Sequence, residues 1–498
     1  MAEIGAQNDP IVGAHHKNNV KYQRDIDQFV NVIKGALQPI SVPPADSYMS
    51  TLAPAAWSGP HGSKLLIPGY NPNQVPETNL RSSAVTRTVG GMATHWTCSS
   101  PKPHEEERVL NPIPAAELDQ LLDRAADLLK VKTDQYDTSI RHRLVKKTLQ
   151  DALGPDRGVD SLPLGVTRNT GNPEFVTWTA TDTIFDKWSS DPRFTLLTES
   201  RVTELHADPS NTEAIGGALI RDLKSTNDDI YVKAKVYIVA CGAVCTPQLL
   251  WNSNIRPDAL GRYLTEQSLS FCQIVLTKKL VESIYNNPEF KEQVDEHLRK
   301  HPNDPLPIPY KDPEPQVLIP YKSATPWHVQ VHRDAFSYGD VGPKADPRVV
   351  VDLRFFGKGE IVKENRVTFG ENDAQDIYGM PQATFYVTRT ADDADRDQRM
   401  MQDMTTVANV LGGFLPGSYP QFMEPGLALH ITGTTRIGND PATSVADANS
   451  RVHGFQNLFV GGNGCIPDAT ACNPTRTSMA IALKGAAAVL EVLKSKKA

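Results

Sequence analysis

The segment Asn457-Leu458-Phe459-Val460-Gly461-Gly462-Asn463-Gly464 places a short apolar run directly before paired glycines. The earlier segment Val236-Tyr237-Ile238-Val239-Ala240-Cys241-Gly242-Ala243 has the same form, and a helical run around Pro247 follows it. A strand that ends in glycine lets the backbone come close to a ligand at the carboxyl end of the strand, which is the usual binding edge of an open α/β sheet. The two segments therefore predict an α/β fold with a ligand site at this edge.

Other segments extend this outline. A helix is predicted over 114–130, where apolar residues recur on one face, and a strand of a second sheet over 349–356. A C-terminal helix is predicted from an apolar stripe formed by Met479, Leu483, Ala486, Ala487 and Leu490. Pro474 suits the first turn of that helix, with Asn473 in or near the capping position. The charged, Pro-rich region 286–316 shows little periodicity, so by itself it fits either a linker or a surface arm of one domain.

Composition and charge exclude several classes of protein. Lys and Arg total 51 against 58 for Asp and Glu, and the resulting net charge of −7 does not indicate a nucleic-acid-binding protein. The six cysteines form no CxxC pair and the thirteen histidines no HExxH motif, so no metal site is predicted. The uncharged stretch 236–255 contains glycine and proline and does not indicate a membrane span. Neither a signal peptide nor a peroxisomal signal is recognisable, and localisation stays open.

Three polar residues stand out, although none identifies a function alone. His95 follows paired glycines and is flanked by Thr94 and Trp96, His430 lies in an apolar run, and Asn473 precedes a proline. Each has an ordinary structural explanation: a hydrogen-bonded loop histidine, a buried strand histidine and a helix cap.

Taken together, separated blocks of sequence identify a family. The chain resembles the pyranose 2-oxidases, a branch of the FAD-dependent glucose–methanol–choline (GMC) oxidoreductases, from about Glu3 to Ala487. The blocks are VGGMATHWTC (89–98), GAVCTPQLL (242–250), LTEQSLSFCQ (264–273), DPLPIPYKDPEPQV (304–317), HRDAFSYG (332–339), LRFFG (353–357), GGFLPGSYPQFMEPGLALH (412–430), NLFVGGNGCIP (457–467) and NPT (473–475).

The resemblance implies a fold and a division into domains. The expected fold is α/β, with a GMC-type split, Rossmann-like FAD-binding domain and a substrate domain built on a large, mostly antiparallel sheet flanked by helices. The FAD-binding domain would comprise 1–105, 195–262 and 424–498, and the substrate-binding domain 263–423. Region 106–194 would connect them, and the Pro-rich segment 304–317 would belong to the folded core of the substrate domain.

The resemblance also implies roles for individual residues. His95 would bond covalently to the 8α-methyl group of the flavin, His430 would be the catalytic base and Asn473 its partner. Further cofactor contacts are expected from Glu3, Gly90, Gly91, Thr94, Thr97, Val202, Gly242, Gly462, Asn463, Pro474 and Thr475. Sugar contacts are expected from Gln330, His332, Asp334, Phe336, Tyr338 and Arg354.

The chemistry fits these roles. Oxidation of a secondary alcohol removes a hydroxyl proton and a hydride, and an uncharged histidine nitrogen within hydrogen-bond reach can take the proton. An asparagine at a helix start can donate a hydrogen bond to the same oxygen, while the positive helix end stabilises negative charge on the flavin ring. The hydride chemistry belongs to the cofactor.

The chain departs from the family pattern at its start. Relatives open with a strand, a GxGxxG turn, a helix and a second strand, whereas Met1–Gly5 matches the end of that second strand. Met1 is therefore expected to be an internal methionine of a longer chain; the alternative is a shortened chain that binds FAD poorly. Two smaller departures are Thr435, where many relatives carry histidine, and Ala428, where relatives often carry a larger valine.

The expected activity is oxidation of an aldopyranose such as D-glucose at C2, with reduction of O2 to H2O2. One alternative is a sugar or glycoside C3 oxidase or a quinone-dependent pyranose dehydrogenase, and another is an inactive scaffold. A monosaccharide and O2 or a quinone are the expected small-molecule partners, neither nucleic acid nor membrane is expected, and the resemblance implies a homotetramer.

Overall fold

A computed structural model describes residues 1–19, 37–44, 69–172, 174–224, 229–333, 339, 341–342 and 345–495. The α-helices in this part of the chain are α1 Ala115–Leu128, α2 Ile140–Leu153, α3 Thr181–Phe185, α4 Gly242–Asn252, α5 Lys278–Ser283, α6 Lys291–Lys300, α7 Ala391–Leu411 and α8 Thr475–Ser495. The strands are β1 Leu37–Pro39, β2 Ala84–Thr86, β3 Val131–Lys132, β4 Asp160–Ser161, β5 Leu164–Arg168, β6 Val176–Trp178, β7 Ser200–Asp208, β8 Asn211–Asp222, β9 Asp229–Val232, β10 Tyr237–Val239, β11 Ser268–Leu276, β12 Gln316–Ile319, β13 Trp327–His332, β14 Val350–Gly357, β15 Arg366–Phe369, β16 Ala383–Tyr386, β17 Gly412–Phe414, β18 Gln421–Phe422 and β19 Leu458–Val460.

The two glycine-terminated segments pair with each other. Strands β10 and β19 are parallel, with Tyr237 opposite Leu458 and Val239 opposite Val460. Their buried side chains form one hydrophobic cluster with residues of α1, α4 and α8. Since both strands run in the same direction, their terminal glycines lie at the same edge, as the sequence predicted.

A large antiparallel sheet forms the second centre of the fold. Its strand order is β17-β11-β14-β13-β12-β4, and β18 pairs with β11 beside β17. One face of β13 and β14 is apolar and packs with residues of α2 and α7; from the two strands it contributes Trp327, Val329, Val331, Val351, Leu353 and Phe355. The GMC-type arrangement of an α/β unit with a large antiparallel sheet is confirmed.

The opposite face of the same strands is polar and buried. His328, Gln330 and His332 alternate with the apolar residues of β13, and Asp352 and Arg354 do so on β14; all five side chains are at most 1% exposed. Side chains of a strand alternate between its faces, so both faces are covered and one of them is polar. Because burying polar groups costs free energy unless they are hydrogen bonded, a buried polar face marks a candidate site.

Two predictions of local structure need correction. Region 286–316 contains the helix α6, whose Val294 joins the core beneath the large sheet while most of its other residues are exposed, so the linker alternative is wrong and the region is a helical surface part of the unit that holds this sheet. The buried face of α8 consists of Thr477, Ala480, Ile481 and Gly485, whereas Ala486, Ala487 and Leu490 of the predicted stripe are exposed. Alanine and glycine let the helix backbone come close to a neighbouring segment, as at Gly485, which packs against Ser450. A hydropathy pattern alone does not reveal such close packing.

Within the described ranges, no helix combines the length and the apolar character that crossing a bilayer requires.

Candidate active site

His430 and Asn473 are in direct contact. The amide nitrogen of Asn473, Nδ2, lies 3.2 Å from Nε2 of the His430 ring. Leu429 has a φ of +59°, a conformation that is uncommon for a non-glycine residue and that turns the chain just before His430. Asn473 stands two residues before the first residue of α8. The fold thus brings together the two side chains that the sequence singled out as a pair.

The amide group of Asn473 is held in one orientation. Its oxygen, Oδ1, accepts hydrogen bonds from Ser99 Oγ and from Gln330 Nε2, both at 2.7 Å. The carbonyl of Pro474, rather than that of Asn473, accepts the first bond of α8, from the amide of Ser478 at 2.9 Å. Asn473 therefore lies next to the cap, and its side chain serves the site instead of the helix end.

Two consecutive residues before β11 hold the other side of His430. The ring nitrogen Nδ1 lies 2.7 Å from Oε1 of Gln267. The backbone amide of His430 donates to the carboxyl group of Glu266, 3.0 Å from Oε2 and 3.2 Å from Oε1. The ring of Phe356 lies beside the imidazole, with 5.8 Å between the ring centroids.

Burial sets the charge of these groups. It lowers the pKa of His430 to about 3, and that of His328 to about 3 with a smaller contribution from His430. It raises the pKa of the Glu266 carboxyl to about 8. Both imidazoles are therefore uncharged near neutral pH, and His430 carries a lone pair that can accept a proton.

The predicted sugar contacts divide into three groups. Gln330 joins the pair through Asn473, and its Nε2 also lies 2.9 Å from His328 Nε2. His332 and Arg354 lie on the same polar face, Arg354 opposite Gln330 in the sheet, but His332 Nδ1 contacts Gln316 rather than the pair. Asp334, Phe336 and Tyr338 lie outside the described residues.

His95 is buried, 5% exposed, at the end of a short 3-10 helix over Gly91–Thr94. Its Nε2 lies 2.8 Å from Thr86 Oγ1, and burial, assisted by His16, lowers its pKa to about 4. Four residues further on, Ser99 contacts Asn473. An extended chain of four residues spans at most about 14 Å, so this short segment connects His95 to the contact between Ser99 and Asn473.

The glycines at the carboxyl ends of β10 and β19 fit the close approach of a dinucleotide. Gly242 (φ +85°) and Gly462 (φ +97°) both adopt the left-handed conformation, and a Cβ built on Gly242 would meet nothing within 4 Å. A Cβ on Gly462 would lie 3.8 Å from the Cα of Gly242, at van der Waals distance, so the two glycines lie side by side. Gly242 begins α4, whose amino end favours a phosphate.

The remaining predicted cofactor residues lie on several elements. Asn463 begins a 3-10 helix directly after Gly462, and Thr475 is the first residue of α8, preceded by Pro474. Glu3 accepts a hydrogen bond from the amide of Gly5 at 2.8 Å, and burial raises the pKa of its carboxyl. Val202, on β7, packs against the cluster that holds β10 and β19. Thr97 lies between His95 and Ser99 in the chain.

The glycines before His95 have different local reasons. A Cβ on Gly90 would lie 2.9 Å from the Cα of Gly13, so Gly90 allows close packing. Gly91 has a φ of +56° and open space around it, and its carbonyl accepts from Thr94 Oγ1 at 2.8 Å.

The structure adds four residues that the sequence did not single out: Ser99, Glu266, Gln267 and His328. The alternation of polar and apolar residues along β13 was the signal for His328. Nothing local marked the other three, because their partners lie 374, 164 and 163 positions away in the chain.

The two departures from the family pattern lie in packed positions. Thr435 is fully buried, and a Cβ on Gly464 would lie 2.6 Å from its Oγ1. Ala428 is buried in a small cluster with Phe356, the neighbour of the His430 ring. A larger residue at position 428 would therefore press on Phe356 and, through it, change the space beside the His430 ring.

Comparison with known proteins defines the class first. Two family models described as GMC oxidoreductase match residues 157–269 and 362–482. The solved structure of the R554K variant of Aspergillus oryzae formate oxidase superposes with a TM-score of 0.64, covering 99% of this chain and 94% of that one, at 13% identity. This likeness supports the fold alone.

Two relatives are similar over nearly the whole chain. Pyranose 2-oxidase of Tricholoma matsutake is 62% identical, over 99% of this chain and 89% of the relative. Pyranose 2-oxidase of Lyophyllum shimeji is 46% identical, over 99% and 85%. The chain belongs to the GMC oxidoreductases and, within them, to the family of pyranose 2-oxidases. FAD is the cofactor of this class, and the glycine pair at the edge of β10 and β19 fits it.

Proposed function

We propose that this chain oxidises an aldopyranose such as D-glucose at C2 to the 2-dehydro sugar and reduces O2 to H2O2. The balance is two electrons and two protons: the O–H bond of the C2 hydroxyl and the C2–H bond break, the C2–O bond becomes C2=O, and O2 takes up both hydrogens to form H2O2. The observation that carries the proposal is the contact between an uncharged histidine and an oriented asparagine beside a buried polar sheet face. The relatives named pyranose 2-oxidase supply the substrate class.

The two central residues divide the work on the hydroxyl group. His430 is the base, because burial keeps its ring uncharged and Nε2 is the nitrogen that faces Asn473. Asn473 donates from Nδ2 to the sugar oxygen and so stabilises the negative charge that develops as the proton leaves. FAD, when bound, supplies the acceptor for the hydride.

The polar face of β13 and β14 would select the sugar. Gln330, His332 and Arg354 present amide, imidazole and guanidinium groups on one buried surface, which suits hydroxyl groups that both donate and accept. Asp334, Phe336 and Tyr338 complete the proposed set. Region 263–423 would bind the sugar, while 1–105, 195–262 and 424–498 would bind FAD, joined by 106–194.

The flavin would be bound both covalently and through glycine-lined contacts. His95 is the proposed attachment point, because its ring is buried, uncharged and connected by a short segment to the catalytic pair. The remaining proposed cofactor contacts are the eleven residues given above from Glu3 to Thr475. A homotetramer is proposed from the family likeness.

The test follows a labelled carbon. D-glucose labelled with ¹³C at C2, and in parallel at C3, is incubated with the purified protein in air, while H2O2 is measured with a peroxidase-coupled dye. We expect a carbonyl or hydrate ¹³C signal from the C2 label only, with one H2O2 per sugar, and neither with His430→Ala.

Three other outcomes would each refute one part of the proposed function. A carbonyl from the C3 label would refute the C2 assignment. Product formed with benzoquinone but without H2O2 in air would refute O2 as acceptor. A flavin-containing protein that oxidises no pyranose with either acceptor would refute the activity and favour a scaffold.

A further inference from the structure

Gln267 has an amide group that can point in only one direction. Its Nε2 donates to the carbonyl of Thr470 at 2.8 Å and to that of Cys472 at 2.9 Å. The loop that carries these carbonyls is itself held, because Glu107 Oε1 accepts the amides of Ala471 at 2.5 Å and Cys472 at 3.2 Å. A flipped amide would place its oxygen against two carbonyl oxygens, and Gln267 is only 6% exposed. The orientation is thus set by the fold.

This orientation decides where the proton of His430 resides. The oxygen Oε1 of Gln267, which carries no hydrogen, lies 2.7 Å from His430 Nδ1, so Nδ1 must be the protonated nitrogen. On the other side of the ring, the amide nitrogen of Asn473 donates to Nε2, since its oxygen is occupied by Ser99 and Gln330. Both contacts agree only if Nε2 carries the lone pair.

We propose that Gln267 is a positioning residue that locks His430 in the tautomer with its lone pair on Nε2, the nitrogen that takes the sugar proton. This rests on the proposed function. The physical reason is that the other tautomer has its proton on Nε2. It would present an N–H to the sugar hydroxyl, and a protonated Nε2 cannot accept the hydroxyl proton. In a well-studied serine protease, an aspartate-to-asparagine change that leaves the histidine in the wrong tautomer slows catalysis by about 10⁴-fold.

Two titratable groups face His430 besides its own ring. The Glu266 carboxyl accepts a hydrogen bond from the backbone amide of His430, and His328, on β13, has its ring beside that of Phe356, at 6.0 Å between centroids. Neither contacts Nδ1 in the structure. The tautomer therefore depends on Gln267.

The direct test reads the tautomer without sugar or turnover. Protein labelled with [¹⁵N]histidine is compared before and after Gln267→Leu, and His430→Ala identifies the His430 signals. We expect the ¹⁵N signals of wild type to show a protonated Nδ1 and an unprotonated Nε2, and those of Gln267→Leu to show loss of this preference. An unchanged His430 tautomer in Gln267→Leu would overturn the proposal, whether or not the protein oxidises a sugar.

The kinetic test includes a matched control. Gln382 is also a buried glutamine, and its Nε2 also donates to two carbonyls, those of Ile40 at 2.8 Å and Ala383 at 3.1 Å. Unlike Gln267, it has no partner at Oε1 among the described residues. We expect Gln267→Leu to lower kcat for sugar oxidation about 10- to 100-fold with little change in KM, and Gln382→Leu to leave kcat within about twofold. Equal losses in both variants would mean a merely structural role and refute the inference.

A conservative variant covers the case in which Gln267→Leu does not fold. Gln267→Met keeps the length of the side chain but offers no carbonyl oxygen to Nδ1 of His430. We expect the ¹⁵N signals of this variant to show the same loss of tautomer preference, and its kcat to fall as expected for Gln267→Leu. An unchanged His430 tautomer in Gln267→Met would overturn the proposal. Inactivity of wild type would instead count against the proposed function.

Discussion

Replacing Glu266 by glutamine should make the stability of the protein less sensitive to pH. The carboxyl group is 8% exposed, and burial raises its pKa from 4.5 to about 8. Between these two values the folded chain keeps a proton that the unfolded chain has lost, so the free energy of unfolding falls as pH rises, by about 1.4 kcal/mol per pH unit. Over the difference of about 3.5 units, the loss is about 5 kcal/mol, complete above pH 8.

Glutamine has the shape of the protonated acid but no titratable proton. It can keep the hydrogen bond from the amide of Gln267, 2.8 Å from Oε1 in the structure. Glu266→Gln and wild type should therefore differ by no more than about 1 kcal/mol at pH 5, and the variant should be more stable by a few kcal/mol at pH 8.5.

The measurement is guanidinium-induced unfolding at pH 5, 6.5 and 8.5, followed by tryptophan fluorescence. Glu364→Gln removes a carboxylate from the exposed surface and controls for the change in net charge. A difference between Glu266→Gln and wild type that stays constant within about 1 kcal/mol across this range would show that the carboxyl is not held protonated by burial, and would refute the reasoning.

Three further predictions concern the site. His430→Ala should slow anaerobic flavin reduction by sugar about 10²–10⁴-fold, whereas Asn473→Ser should slow it less. Asn473→Ser should also keep the acid limb of the wild-type pH profile, which the lowered pKa of His430 places below pH 5. Stopped-flow bleaching of the flavin measures both rates, and a His430→Ala rate equal to that of wild type would show that another residue is the base. His95→Ala should leave bound FAD extractable by acid, and flavin colour that stays with the precipitated variant would contradict the covalent assignment. Gly242→Ala should lower the flavin content well below that of Gly154→Ala, which has a similar positive φ (+77° against +85°) and equally open space but lies far from the β10–β19 edge in the chain; similar flavin absorbance in both would remove Gly242 from the cofactor site.

Local patterns in the sequence predicted part of this fold. The apolar runs before Gly242 and Gly462 became the parallel strands β10 and β19, and the helix over 114–130 became α1 at nearly the same bounds. These features depend on residues that are neighbours in the chain. A helix is indicated by the period of its apolar residues, and the end of a strand by a glycine that permits positive φ. The predictions were wrong where packing between remote segments decides the structure. Helix α6 was missed, and only Met479 and Leu483 of the predicted stripe on α8 pack against the core, while Ala480, Ile481 and Gly485 are the more deeply buried residues.

The candidate site shows the same division. The chain alone identified His95, His430 and Asn473 as candidates through blocks that resemble one family, whereas the polar alternation of β13, which carries a signal for His328, went unrecognised. What only the tertiary structure decided is how these side chains are oriented: Ser99 holds Asn473 across 374 positions, and Gln267 holds His430 across 163. A hydrogen bond forms or fails within a few tenths of an ångström and depends on angle, and no pattern of residue types specifies such a distance between remote segments. The sequence thus determined which groups are present, and the fold determined which nitrogen of His430 can accept a proton.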